Sequence, residues 1–153
     1  MTVAKVRRAS AEDVPALAEL RRAWTAELNG EVVDPNFEAR FAEWFTAEAG
    51  RRVAWVASVD DVPVGMLNLA VFTRMPRPGV PPSRWGYIAN VFVLEAHRDG
   101  GVGRLLVDEA TAYAHDEGLV RLVLSPSPRS VPFYERAGFA TTDRLMMWVP
   151  EES

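Results

Sequence analysis

An apolar run, Val91 to Leu94, stops at the turn Asp99-Gly100-Gly101-Val102-Gly103, and an amphipathic helix starts inside that turn. Such a chain is held to a strand, a tight turn and a helix in immediate succession. Glycines let the backbone approach an anion closely and aim several N–H groups at one point, and the helix start adds the positive end of its macrodipole. The product is a phosphate cradle, with Arg98 and Arg104 flanking it. A P-loop reading fails because no Gly-Lys-Ser/Thr follows. A dinucleotide fingerprint fails because Leu106 stands where the third glycine should pack helix on strand, and because the next strand ends in Leu124 and Ser125, not in an acid for a ribose. What remains is R-x-x-G-x-G, Arg98 to Gly103.

The 153 residues fit one domain, 1–153, with a sizeable core, and 48% apolar residues with scattered charge describe an ordinary globular protein. No apolar run approaches the ~18 residues of a membrane span, and Met1 to Arg8 is no signal peptide. Zero cysteines exclude disulfides, thiolate metal sites and a cysteinyl acyl-enzyme. A cytoplasmic protein without a membrane partner is therefore expected. The net charge of −4 argues against nucleic acid as a partner.

Val3 to Arg8 reads as a short strand, followed by a helix to about Asn29 that Ser10 or Asp13 caps; Pro15 fits only a first turn and favours Asp13. Pro35 to Ala49 reads as a second helix, stopped by Gly50. Val53 to Val59 and Val64 to Phe72 read as a hairpin turning at Asp60-Asp61. The prolines of Met75 to Ser83 make that segment a loop. Trp85 to Leu94 is the next strand, Gly101 to Glu117 a helix and Leu119 to Leu124 a short strand. Ser130 to Gly138 holds a short helix, and Phe139 to Val149 supplies a final strand or pair of strands. The order is β-α-α-β-β-β-α-β-α-β.

Ser127 to Phe139 matches N-x-x-A-x-x-x-Y-x-x-x-G-F at Tyr134, Gly138 and Phe139, with Ser127 in place of Asn and Ser130 in place of Ala. With R-x-x-G-x-G one helix and one strand upstream, the chain resembles the GNAT superfamily of N-acetyltransferases over essentially its whole length. The resemblance implies an α/β (α+β) fold, a single domain whose mixed central sheet splays at an acetyl-CoA cleft. It also implies that Val91, Phe92 and Val93 hydrogen-bond the pantetheine arm through their backbone. The pyrophosphate would sit on Asp99, Gly100, Gly101, Val102, Gly103 and Arg104, beside Arg98. Acetyl-CoA is then the acetyl donor, and no metal takes part; two histidines without cysteine partners offer no metal site.

Tyr134 is the candidate acid. Acyl transfer expels a CoA thiolate, to which a phenol of pKa about 10 can donate a proton; the bland alternative is that Tyr134 only packs on the short helix. Ser127 either bonds the cofactor in place of Asn or caps a turn beside two prolines. Neither central strand, Trp85 to Leu94 or Leu119 to Leu124, carries an acid to serve as base, and Glu95 and His97 read as surface residues. From Trp24 to Glu48, Glu27, Glu31, Asp34, Glu38, Glu43 and Glu48 face only Arg40, an acidic rim interleaved with aromatics. Glu31 and Glu38 are the candidate substrate-binding residues, for a small cationic amine or a protein amino terminus. The alternative is that most of these acids are solvated helix faces. The function reading is N-acetyl transfer to a primary amine by direct attack in a ternary complex, with a homodimer as an allowed assembly. Its rival is a GNAT-fold module that binds acyl-CoA and regulates without turnover.

Overall fold

A computed structural model describes residues 3–151 of the chain. Five strands make one open sheet in chain order: β1 (Lys5–Arg8), β2 (Arg52–Val59), β3 (Val62–Thr73), β4 (Arg84–Val93) and β5 (Leu122–Val123). The first four pair antiparallel, and β5 joins β4 in parallel after a crossover through α3 (Val102–Asp116). The other helices are α1 (Val14–Asn29), α2 (Phe37–Glu48) and α4 (Val131–Arg136). The sheet is covered on both faces. One face, with Trp55, Leu67, Leu69 and Ile88, buries Val102, Leu106, Val107 and Ala110 of α3. The other, with Val56, Met66 and Phe92, buries Leu17 and Leu20 of α1, with Phe41 and Phe45 of α2 at its margin. Alternation along each strand supplies the two apolar sets, as a period of two requires.

Asp13 sits where the helix cap was expected, but its carboxylate turns back toward β1. It accepts bonds from both Arg7 Nη atoms at 2.7 and 2.8 Å and from the Ser10 amide at 2.8 Å. Hydrogen bonding from Arg7 holds its pKa at about 2, down from 3.8. A carboxylate lowered on folding stabilises the fold above its ordinary pKa and loses that contribution as pH falls toward the lowered value. Asp13→Asn is therefore expected to cost about 1–3 kcal/mol. It should also flatten the fall of the thermal midpoint below about pH 4. An unchanged midpoint would reduce the pair to a surface contact.

The expected final strand over Phe139 to Val149 is not formed. Residues 140–151 carry no strand, and Leu145, Met146, Met147, Trp148 and Val149 are 56%, 100%, 79%, 84% and 66% exposed. β5 is the cause on the sheet side, since its paired stretch is only two residues long and offers little edge to extend. The apolar pattern was present in the sequence, but a strand needs a ladder partner, and Ala140, Thr141, Thr142 and Leu145 lie across a cleft from β5 without pairing with it.

Two details of β4 shape the site. A Cβ on Gly86 would stand 2.8 Å from a Leu122 methyl and 2.9 Å from a Leu69 methyl, so a side chain there would have to displace both where β5 pairs with β4. Further along, Asn68 pairs with Asn90 but Leu69 pairs with Ile88, which leaves Ala89 as an extra residue in β4. That bulge resets the alternation. Gly86 donates to the Arg121 carbonyl on the β5 side, whereas Leu94 donates to Val64 on the β3 side. Counting back from Leu94, Phe92 faces β3 with its backbone, and Val91 and Val93 face the edge that β5 has left.

Candidate active site

The cradle is formed by consecutive residues. Gly101 has φ +87°, a left-handed conformation that glycine adopts without strain, and it lies immediately before α3. The first amide to find a helical acceptor is Leu105, on the Gly101 carbonyl at 3.1 Å. The N–H groups before it, from Val102 to Arg104, are the unsatisfied donors of a helix start. Asp99, at φ +64°, completes the reversal. Val93, Asp99, Gly101 and Gly103 line a cleft of about 490 Å³ with Arg98, Arg104, Phe133 and Arg136. Three arginines from three segments face one glycine turn. A cavity with this donor set fits a pyrophosphate.

Arg98 is also a fastener. Its Nε donates to the Val93 carbonyl at 3.0 Å and its Nη2 to Glu27 of α1 at 2.5 Å, while the guanidinium lies 5.7 Å from the centre of the Phe92 ring. It thereby ties the turn to β4 and α1. Arg104 donates to Asp108 at 2.8 Å and to the Arg136 carbonyl at 3.0 Å, which fixes α4 beside the helix start. Arg136 was not foreseen. Its place in the cradle depends on the fold-back of α4, and no local pattern marks it.

Between β5, α4 and the segment after α4, Tyr134 lines a second cleft of about 250 Å³ with Leu122, Leu124, Val131 and Phe139. Its ring is fixed edge-on to Phe133 at 5.0 Å and Phe139 at 5.8 Å. Burial pushes the phenol above its ordinary pKa of 10.0, so it is protonated at neutral pH. Its hydroxyl has no hydrogen-bond partner among the described residues. Ser127 does not line this cleft and is engaged locally, its Oγ accepting from the Ser130 amide at 3.2 Å and lying 3.1 Å from the Ser130 hydroxyl. Tyr87 donates to Ser125 at 3.0 Å, a bridge across the point where β4 and β5 part.

A third cleft, about 350 Å³, lies between α1, α2 and the sheet. Phe37, Phe41, Trp44 and Phe45 wall it, and Met66, Asn68 and Asn90 form its floor beside the Ala89 bulge. No acid lines it. The acidic residues of this region are bound elsewhere: Glu38 accepts from Arg22 at 2.5 and 3.0 Å, Asp34 is paired with Arg40, and Glu48 accepts from Arg51 and Arg52 at 2.8 and 2.9 Å. The Arg22 bonds hold the Glu38 carboxyl at about 2, well below its ordinary 4.5. Glu31 lines a different groove, between α1 and the segment 31–34. The structure therefore does not bring Glu31 and Glu38 to the wall of this cleft. Among the described residues no cluster of His, Cys, Asp and Glu could hold a metal ion, and no helix is long and apolar enough to cross a membrane.

The model of the acetyltransferase (GNAT) family matches residues 15–139, an interval that contains the cradle, Tyr134 and both helices of the third cleft. The chain belongs to the GNAT family. That family is one of acetyltransferases. A glucosamine 6-phosphate N-acetyltransferase of Trypanosoma brucei brucei is 30% identical over 83 residues, which is 54% of this chain and 54% of that protein. The chain thus matches about half the length of that curated relative. Among solved structures, a GCN5-related N-acetyltransferase from Ralstonia eutropha JMP134 is 25% identical, with a TM-score of 0.72 and coverage of 96% of this chain and 99% of that one. A predicted acetyltransferase from Clostridium acetobutylicum, solved with acetyl-CoA, is 19% identical and shares the fold at a TM-score of 0.76, covering 96% of both chains.

Proposed function

We propose that this GNAT member acetylates a primary amine by direct attack in a ternary complex, with Tyr134 as the acid. The neutral amine nitrogen bonds to the thioester carbonyl carbon, the carbon–sulfur bond breaks, the departing sulfur takes the Tyr134 proton, and the proton that nitrogen sheds returns through water to the Tyr134 phenolate. The observation that carries this reading is a half-buried phenol, protonated at neutral pH and without a hydrogen-bond partner among the described residues, in a cleft between β5, α4 and the segment that follows α4. The open-edge backbone of Val91 and the N–H of Val93, whose carbonyl Arg98 takes, are suited to the pantetheine arm, whereas Phe92 contributes a buried ring stacked 5.4 Å from Trp24. Arg98 and Arg104 supply positive charge to the pyrophosphate, and the hydroxyl of Ser127 serves the turn that positions α4.

With no carboxylate in the third cleft, the amine loses its proton to water. A protonated amine is not a nucleophile, so thiol release is expected to rise from about pH 6 to 8.5. Thiol release from acetyl-CoA over an amine panel measures both turnover and this profile. Release from no amine, with acetyl-CoA still bound, would end the transfer reading; a flat profile would require a base inside the protein.

We also infer a homodimer in the cytoplasm, formed through the exposed run Leu145 to Val149, since a contiguous apolar surface marks an interaction site. Light scattering is expected to find two chains of 17.0 kDa in one particle, and one chain after truncation at Asp143. A monomeric intact chain would end that inference.

A further inference from the structure

We propose that the cleft between α1 and α2 selects a free α-amino acid with a large apolar or aromatic side chain as acetyl acceptor; this rests on the transfer reading above. Three chemical features of the cleft carry the inference. Its walls are Leu17, Phe37, Phe41, Trp44, Phe45 and Met66, a surface that gains by covering an apolar body and gives a polyhydroxylated one little to bond. Its volume of about 350 Å³ is at the small end of ligand sites, suited to one ring or branched chain.

The second feature is charge. Arg21 and Arg40 both line the cleft, and only Arg40 has a carboxylate partner, Asp34. Arg21 donates to Thr25 at 3.2 Å and lies 4.5 Å from the centre of the Trp24 ring, with no carboxylate against it among the described residues. One guanidinium without a counter-charge in an aromatic cleft calls for an anion on the ligand, and a carboxylate matches its fork. Polycations meet the opposite. They would find two arginines and no acid, since Glu38 and Glu48 are already bonded to arginines and Glu31 lines another groove.

The third feature places the amine. Asn68 and Asn90 are paired across β3 and β4, next to the Ala89 bulge where the β4 edge opens toward the donor. The Asn68 carbonyl oxygen is taken by Arg52 at 2.9 Å, while the Asn90 amide has no partner among the described residues. Its oxygen can accept one N–H of an uncharged amine and leave the nitrogen lone pair free for attack. Amine toward Asn90, carboxylate toward Arg21 and side chain among the aromatics make a free hydrophobic amino acid.

The experiment compares thiol release from acetyl-CoA with L-phenylalanine, with phenethylamine, which lacks the carboxylate, and with spermidine as polycation. It follows L-phenylalanine binding in parallel through quenching of protein fluorescence that Trp44→Phe abolishes. L-Phenylalanine is expected to exceed phenethylamine in kcat/KM by about 10- to 100-fold, the range of a charge-assisted bond. Arg21→Gln should erase that ratio, and Arg21→Lys should restore part of it, which separates lost charge from lost folding. Spermidine as the best acceptor, or a ratio unmoved in Arg21→Gln, overturns the proposal while leaving acetyl transfer intact. Quenching by L-phenylalanine without thiol release from any amine would do the reverse, keeping the cleft's ligand and removing the transfer reading.

Discussion

Replacing Gly101 with Val is expected to weaken acetyl-CoA binding at least ~10-fold, about 1.4 kcal/mol. At φ +87° a β-branched residue is strained, and the relief available is a rotation that turns the amides at the helix start away from their common focus. Nothing lies within 4 Å of a Cβ built there, so the loss comes from conformation and not from a clash. Gly103→Val reaches the same result by another route. A Cβ at Gly103 would touch Phe133 at 3.4 Å, and the added methyls press on the ring that walls the cradle. Gly118→Val is the control, because Gly118 has φ +67° with open surroundings at the far end of α3. It should lower stability and leave CoA affinity alone. Unchanged affinity in folded Gly101→Val would remove the cradle from the site.

Tyr134→Phe should lower kcat by ~10² to 10⁴-fold, the usual value of a positioned proton donor. The ring stays, with its edge-on contacts to Phe133 and Phe139, so acetyl-CoA affinity should be preserved. Because burial raises the phenol above 10.0, the wild-type rate should show no descending limb below that pH. A full kcat in the variant would return Tyr134 to packing alone. Equal losses of affinity and kcat would show that its hydroxyl holds the donor before any bond breaks.

The cradle was legible because it is local. Arg98, the glycines and the start of α3 are neighbours along the chain, and the left-handed turn at Gly101 follows from residue type. Element order was legible for the same reason, from β1 to α4, since periodicity and glycine or proline breaks act over a few residues. The final strand was misread because its apolar pattern states a need for a partner without supplying one. The short reach of β5 decided the matter.

The acceptor side was the least legible part. Six acids against one arginine suggested a negative rim, but Arg98 reaches Glu27 from a distant part of the chain and Arg22, just outside the counted segment, reaches Glu38 across the α1–α2 pair. Net charge along a segment says nothing of partners that folding delivers. The Ala89 bulge, the entry of Arg136 into the cradle and the meeting of Phe41, Trp44 and Asn90 in one cleft are likewise long-range events. By itself the sequence determined the element order from β1 to α4 and the left-handed glycine turn before α3, which depend on neighbours in the chain. Only the tertiary structure decided which charges stay unpaired and which side chains share a cavity, because those depend on distances between segments that sequence order does not encode.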